Sequence, residues 1–395
     1  MRHFKILVIV LVIGMMTVVV LPINAQRPDA PPYAERGDYP VGTREYTVED
    51  VERSFNVTVW YPASNPDDLE EEVTYQEGLI VVEGEALRDA QPAADAPFPL
   101  VVFSHGSGGT RFQSVFFAEH LASYGFVVIA GDHPLNTAYE RVFDPEIYAD
   151  NILTSFALRP LDALRVIGLA ESLTAEGGDL AGVIDMGKIA VTGHSFGGYT
   201  ALAVGGGRID LTQVEADCPA EVEAVQPFCR IAESTPEVAE LRGLESIPVG
   251  EFPPTSDPRV KAIILMAPAL AATFSPDSMS AITAPTMTIV GTSDDLLADA
   301  ELIHERIGGE PNILVTLDYA GHYIFLDECS PLAVSFGLFS FCSDQVWDMS
   351  RAHDIINHLA TAFLLSTLKG DAEAAAALEP TAVDFLAVTF DVASR

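Results

Sequence analysis

The densest chemical signal in the chain is Gly193-His194-Ser195-Phe196-Gly197-Gly198. It contains G-x-S-x-G, preceded by the apolar run Ile189-Ala190-Val191-Thr192 and followed by an apolar helical stretch from about Gly197. A serine between two glycines can sit on a tight strand-to-helix turn with its hydroxyl exposed. Side chains at the flanking positions would clash with neighbouring backbone, hence the glycines. The helix start also aims backbone N–H groups at the same point, which favours developing negative charge. Ser195 is therefore expected to be a nucleophile. The bland alternative is a glycine-rich turn carrying a solvated serine.

A serine hydroxyl needs a base to attack anything at neutral pH. In a strand–turn–helix setting of this kind the chain order is serine, acid, histidine. Gly291-Thr292-Ser293-Asp294-Asp295 follows a predicted strand and offers two carboxylates. Either could instead cap a helix beginning near Leu296, a task aspartate does well. Gly321-His322 follows the next predicted strand, so His322 is the candidate base. His304, His353 and His358 fall on predicted helices, where histidine is more often a packing or surface residue.

Acyl transfer also requires donors for a tetrahedral oxyanion. One is expected from the backbone N–H of Phe196, directly after the nucleophile, and the other from the loop after an earlier strand. That loop reads Ser104-His105-Gly106-Ser107-Gly108-Gly109. Ser107 N–H is taken as the second donor, with His105 holding the turn by a hydrogen bond.

These residues need a scaffold with one functional edge. Residues 98–103, 126–130, 189–192, 260–266, 286–290 and 313–317 read as short buried strands. Helical spacing marks 112–124, 156–173, 298–307 and 352–368. Strands alternating with helices imply an α/β fold with a mostly parallel, doubly wound sheet covered on both faces. Ligands bind at the carboxyl edge of such sheets, where all the named residues fall. Residues 54–60 alternate with period two, as an antiparallel strand does. Residues 62–97 show little periodicity apart from an apolar run at 79–82. Residues 206–258 interrupt the pattern with polar, acidic and proline-containing sequence, and read as an insertion forming a lid or pocket wall. After His322 come Tyr323-Ile324-Phe325-Leu326 and then, from Leu332 to Phe339, a second apolar stretch. Both read equally as an acyl-binding wall or as core beneath a loop.

The 395 residues carry 21 basic and 57 acidic side chains, a formal charge of −36. Such a chain is repelled by phosphate backbones, so no nucleic-acid partner is expected, and anionic membrane surfaces are poor partners too. A basic start at Arg2, His3 and Lys5, an apolar run from Ile6 to Leu21 and Pro22-Ile23-Asn24-Ala25, with a small residue at a plausible cleavage point before Gln26, read as a signal peptide over 1–25. An uncleaved anchor is the alternative. Residues 26–44 read as a linker or tail, and 45–395 as the catalytic domain. The expected location is secreted or periplasmic, with no stable membrane insertion after signal cleavage. In an oxidising compartment, Cys218 with Cys229 and Cys329 with Cys342 could form two local bridges, one of three possible pairings. The cysteine spacing is not that of a zinc site, and no metal is expected.

Val101-Val102-Phe103-Ser104-His105-Gly106, Leu121-Ala122-Ser123-Tyr124-Gly125-Phe126 and Gly193-His194-Ser195-Phe196-Gly197-Gly198, in that order, resemble secreted or plasma-type platelet-activating-factor acetylhydrolases. They are also similar to bacterial predicted dienelactone hydrolase-like proteins and, more distantly, to cutinase-like polyester hydrolases. The resemblance spans roughly residues 50–330. It implies an α/β-hydrolase fold, serine esterase activity and no cofactor. It also implies Ser195, Asp294 and His322 as the triad, with Asp294 preferred to Asp295 by the family pattern, and Ser107 and Phe196 at the oxyanion positions. True dienelactone hydrolases use a cysteine nucleophile, whereas this chain has a serine. The expected activity is hydrolysis of a small-molecule or lipid carboxylic ester through an acyl-enzyme. The contrasting class is a non-catalytic binding module on the same fold.

Overall fold

The computed structural model describes residues 30–393 apart from 52, 78–79, 213, 215–230, 330–333 and 336. The segment expected to be a signal peptide, and Cys218 and Cys229, lie outside the described residues.

The chain begins with β1 (Val41–Val48) and β2 (Phe55–Pro62), then a separate hairpin of β3 (Val73–Glu77) and β4 (Ile80–Gly84), then the short β5 (Leu87–Arg88). The central part runs β6 (Phe98–Ser104), α1 (Val115–Ser123), β7 (Val127–Gly131), α2 (Ala138–Phe143), α3 (Pro145–Asp150), α4 (Ile152–Thr174), β8 (Ile184–His194) and α5 (Phe196–Gly205). After α6 (Thr235–Leu241) come β9 (Val260–Met266), α7 (Pro276–Ser280), β10 (Thr286–Gly291), α8 (Leu297–Arg306) and β11 (Asn312–Leu317). The chain closes with α9 (Met349–Leu364), α10 (Ala372–Ala377) and β12 (Val388–Val392).

Ten of these strands form one sheet in the order β12-β11-β10-β9-β8-β6-β7-β2-β1-β5. The strands from β7 to β11 in this order are parallel. β2 joins β7 antiparallel, and β12 joins β11 antiparallel at the other edge. Parallel strands covered on both faces read as continuous apolar runs, and every residue of β6 is buried. Alternate side chains serve opposite faces. Leu100 and Val102 pack with α4 and α5, while Val101 and Phe103 pack with α1 and α9.

Sequence and structure differ at the edges. β1 starts inside the 26–44 segment expected to be a linker. It pairs residue for residue with β2 from Val41 to Val48, so the sheet starts before residue 45. Its proline- and glycine-rich approach hid it. The 62–97 region holds the β3–β4 hairpin, whose pairing only the fold supplies. The described part of the 206–258 insertion packs Ile231, Val238, Ala239 and Phe252 into the core with Phe156 and Tyr199. This apolar contact anchors it to the flank of α4 and α5.

Candidate active site

β8 ends at His194 and α5 starts at Phe196, leaving Ser195 alone on the bend with φ 57° and ψ −119°. Positive φ is unfavourable for a residue with a Cβ and persists only where the surroundings enforce it. Here Ser195 N–H donates to Met266 O at 2.9 Å, and Ser195 O accepts from Gly198 N at 2.9 Å and Ala269 N at 3.1 Å. The flanking glycines are obligatory. A Cβ on Gly197 would stand 1.8 Å from Ser104 O, and one on Gly193 would stand 2.3 Å from Gly197 O.

Asp294 follows β10 and His322 follows β11, so both stand at the same sheet edge as Ser195. Asp294 Oδ2 lies 2.8 Å from His322 Nδ1, and its side chain is 1 % exposed. A carboxylate can only accept, so the imidazole proton on this side sits at Nδ1, leaving Nε2 as the basic nitrogen of the neutral ring. Asp294 Oδ1 accepts from Leu296 N at 2.9 Å, closing a turn ahead of α8, whose N-cap is Leu296 with no side-chain cap bond; the helix-cap alternative is therefore not what this carboxylate does. Asp295 is exposed. Ser195, Ser107 and His322 line one cavity of about 420 Å³ with Arg141, Tyr148 and Tyr323.

The other histidines are engaged elsewhere. His304 contacts Asn312 and Asp391, His353 stacks on Phe116, and His358 accepts from Tyr33 N.

The loop after β6 lies against the start of α5, with an ideal Cβ on Gly106 only 3.4 Å from Ser195 Cβ. His105 Nε2 accepts from His133 N at 3.0 Å, so Nδ1 carries the proton and donates to Gly106 O at 2.7 Å. Gly109 N donates to the same carbonyl at 3.0 Å. These bonds fix and polarise the Gly106–Ser107 peptide, whose N–H belongs to Ser107. Phe196 N–H is the first of the helix and has no intrahelical acceptor.

Two residues given no role by the sequence reading complete the frame. Gly106 N donates to Gln113 Oε1 at 2.8 Å, Gln113 Nε2 meets His194 Nδ1 at 3.2 Å, and His194 Nε2 meets His322 O at 2.9 Å. Gln113 Nε2 can only donate, so His194 accepts at Nδ1 and donates from Nε2. Burial, with the adjacent His322 adding, holds the His194 pKa well below the usual histidine range, which keeps it in this neutral, two-way state. The relay joins residues 81 and 128 positions apart, and no local pattern announces it.

A second, apolar lobe of about 400 Å³ adjoins the first and shares Gly108, Gly109, Gln113, Val142, Leu338 and Phe341 with it. Phe112, Phe143 and the hairpin residues Ile80–Val82 close it. The Cys329–Cys342 disulfide is formed and lines this lobe. Both readings of the post-His322 stretch hold in part: Ile324 and Phe325 are core, whereas Tyr323, Leu326 and Leu338 line the cleft. No described residue of 206–258 lines either lobe; among the described residues α2, α3 and the 323–329 and 338–342 parts of the strap supply walls instead.

The model of the alpha/beta hydrolase family matches residues 101–334. Among solved structures, a ferulic acid esterase from Streptomyces cinnamoneus is similar at 19 % identity and a TM-score of 0.57, covering 92 % of this chain and 98 % of that one. At that identity the likeness speaks for the fold.

Proposed function

This chain belongs to the alpha/beta hydrolase family, and within it we propose an exported serine esterase acting on carboxylic esters that carry a bulky apolar arm. The observation that carries this reading is the 2.8 Å contact of Asp294 with His322, a histidine that lines one cavity with a serine held at positive φ.

In this mechanism His322 Nε2 takes the Ser195 hydroxyl proton as Oγ attacks the ester carbonyl. Asp294 keeps the ring oriented and stabilises the imidazolium. The carbonyl oxygen becomes an anion held by the N–H groups of Ser107 and Phe196. Collapse expels the alcohol, which leaves with the proton from His322. Water then attacks the acyl-enzyme, losing its proton to His322, and Ser195 is released with the carboxylic acid. The apolar lobe supports an ester with a large acyl or aryl group, and the ferulic acid esterase likeness is compatible with that. Export is supported by the amino-terminal sequence pattern and by the Cys329–Cys342 disulfide.

The test is hydrolysis of p-nitrophenyl butyrate together with labelling by a fluorophosphonate probe. Wild type should hydrolyse the ester and take the probe, and Ser195→Ala should do neither. Full activity in Ser195→Ala would sink the assignment, and a wild type inert in both assays would favour the binding module.

A further inference from the structure

Helix α4 carries a proline in the first half of its length, Pro160, preceded by Arg159 and followed two residues later by Asp162. Arg159 is fully buried, at 0 % exposure. Its guanidinium donates from Nη2 to His105 O, from Nη1 to Asn136 Oδ1 at 2.6 Å and from Nε to Thr200 Oγ1 at 3.3 Å. Its Cζ also lies 4.7 Å from the centroid of the Phe196 ring.

These partners are neutral, which is unusual for a buried cation. The nearby carboxylate is already taken. Asp162 accepts from Arg53 at 2.7 and 2.9 Å, from His133 Nδ1 at 3.2 Å and from Arg165 at 3.2 Å. His133 Nε2 in turn meets Ser104 Oγ at 2.7 Å. That makes a second Ser–His–Asp chain, but all three residues are buried and none lines the catalytic cleft, so it serves as a tie.

The partners of Arg159 belong to both halves of the site. On one side, Arg159 holds the His105 carbonyl and fixes the Asn136 amide with Oδ1 toward itself. Asn136 Nδ2 is thereby turned to Ser107 Oγ, at 3.1 Å, and Asn136 O receives Gly108 N at 3.1 Å. On the other side, Arg159 grips the first two turns of α5 through the Phe196 ring and Thr200. We infer that Arg159 is the positioning residue of the oxyanion hole: one planar, five-donor group spans the Ser107 loop and the Phe196 helix start and sets the separation of the two N–H donors. The inference rests on the serine esterase reading. Lysine could supply the charge but not the fork. Oxyanion donors act only if they are already in place when the charge develops, so the effect falls on the transition state.

The experiment compares wild type, Arg159→Met and Arg159→Lys for kcat and KM on p-nitrophenyl butyrate, affinity for an alkyl trifluoromethyl ketone, and thermal unfolding. The ketone forms a tetrahedral adduct whose oxygen occupies the oxyanion position. Removing support for the hole should lower kcat of Arg159→Met roughly 100-fold with KM within about threefold, and weaken the ketone by about the same factor. Arg159→Lys should fall between. A folded Arg159→Met with kcat and ketone affinity within about threefold of wild type, or with kcat lost while ketone affinity is kept, overturns the proposal. If Arg159→Met does not fold, Asn136→Ser tests the Ser107 half, with roughly tenfold losses in kcat and ketone affinity expected and unchanged values overturning it. A wild type that neither hydrolyses the ester nor takes a fluorophosphonate removes the esterase premise itself, an outcome separate from those of the variants.

Discussion

Asp294 divides its carboxylate between two tasks, with Oδ2 2.8 Å from His322 Nδ1 and Oδ1 2.9 Å from Leu296 N. The turn bond to Leu296 N locks the carboxylate's rotation, so the ring it holds is also locked. Asp294→Asn keeps the shape but offers His322 either a donor or a weaker acceptor. By the proposed mechanism kcat should drop about 10³- to 10⁴-fold. Asp295→Asn, at an exposed neighbour, should stay within about twofold of wild type on the same principle. Steady-state kinetics of the two variants check this, and comparable losses in both would reassign the acid.

Pro160 explains a bond between helices. Proline has no N–H, so the carbonyl of Phe156, four residues earlier, lacks its helical donor. Tyr199 Oη on α5 donates to it at 2.8 Å. Tyr199→Phe should therefore cost about 1–2 kcal/mol in urea unfolding, since a buried carbonyl is left bare. Adding Pro160→Ala should recover part of the loss by restoring an N–H to the helix. Equal losses with and without Pro160 would show that the pair is not coupled.

Cys329 and Cys342 close the strap that walls the apolar lobe. A Cys329→Ser/Cys342→Ser variant frees that strap while leaving Ser195, Asp294 and His322, the triad proposed above, untouched. KM for p-nitrophenyl octanoate should rise severalfold, with p-nitrophenyl acetate nearly unchanged. A parallel change for both esters would place the strap's influence on the triad rather than on the arm.

Asp327 docks the same strap on α1, its two oxygens accepting from Val115 N at 2.7 Å and Phe116 N at 2.8 Å. Burial pushes its pKa up to about 7; the two amide bonds pull it down, and the charges of Glu119 and Glu328 add to the rise. The folded protein thus keeps this proton over a range where the unfolded chain, near 3.8 at this residue, has lost it. Stability from Asp327 is full below pH 4 and declines as pH rises to about 7. Measured against Asp327→Asn, wild type should lose up to about 1.4 kcal/mol per pH unit across that window. Urea midpoints from pH 4.5 to 8 test the slope, and a difference that is flat or grows with pH contradicts it.

Local sequence determined a good deal. G-x-S-x-G between an apolar strand and an apolar helix marks its own bend, because only glycine tolerates the backbone contacts at 193 and 197. Buried parallel strands announce themselves as apolar runs, and the order Ser195, Asp294, His322 follows from strands ending at one edge. Cys329 and Cys342 lie close enough in sequence to be guessed as a pair. Side-chain partners from distant segments were decided only by the tertiary structure. Asp294 and Asp295 are chemically equal neighbours, and which one meets His322 depends on the direction each leaves a turn. Gln113, His194 and Arg159 gain their roles from groups brought in from other strands, and hydrogen bonding across such distances leaves no periodic trace. Among the described residues, the cleft walls likewise come from 138–148 and from the 323–342 stretch and none from the conspicuous insertion, since what covers a site depends on where chain segments pack and not on how irregular they look in one dimension.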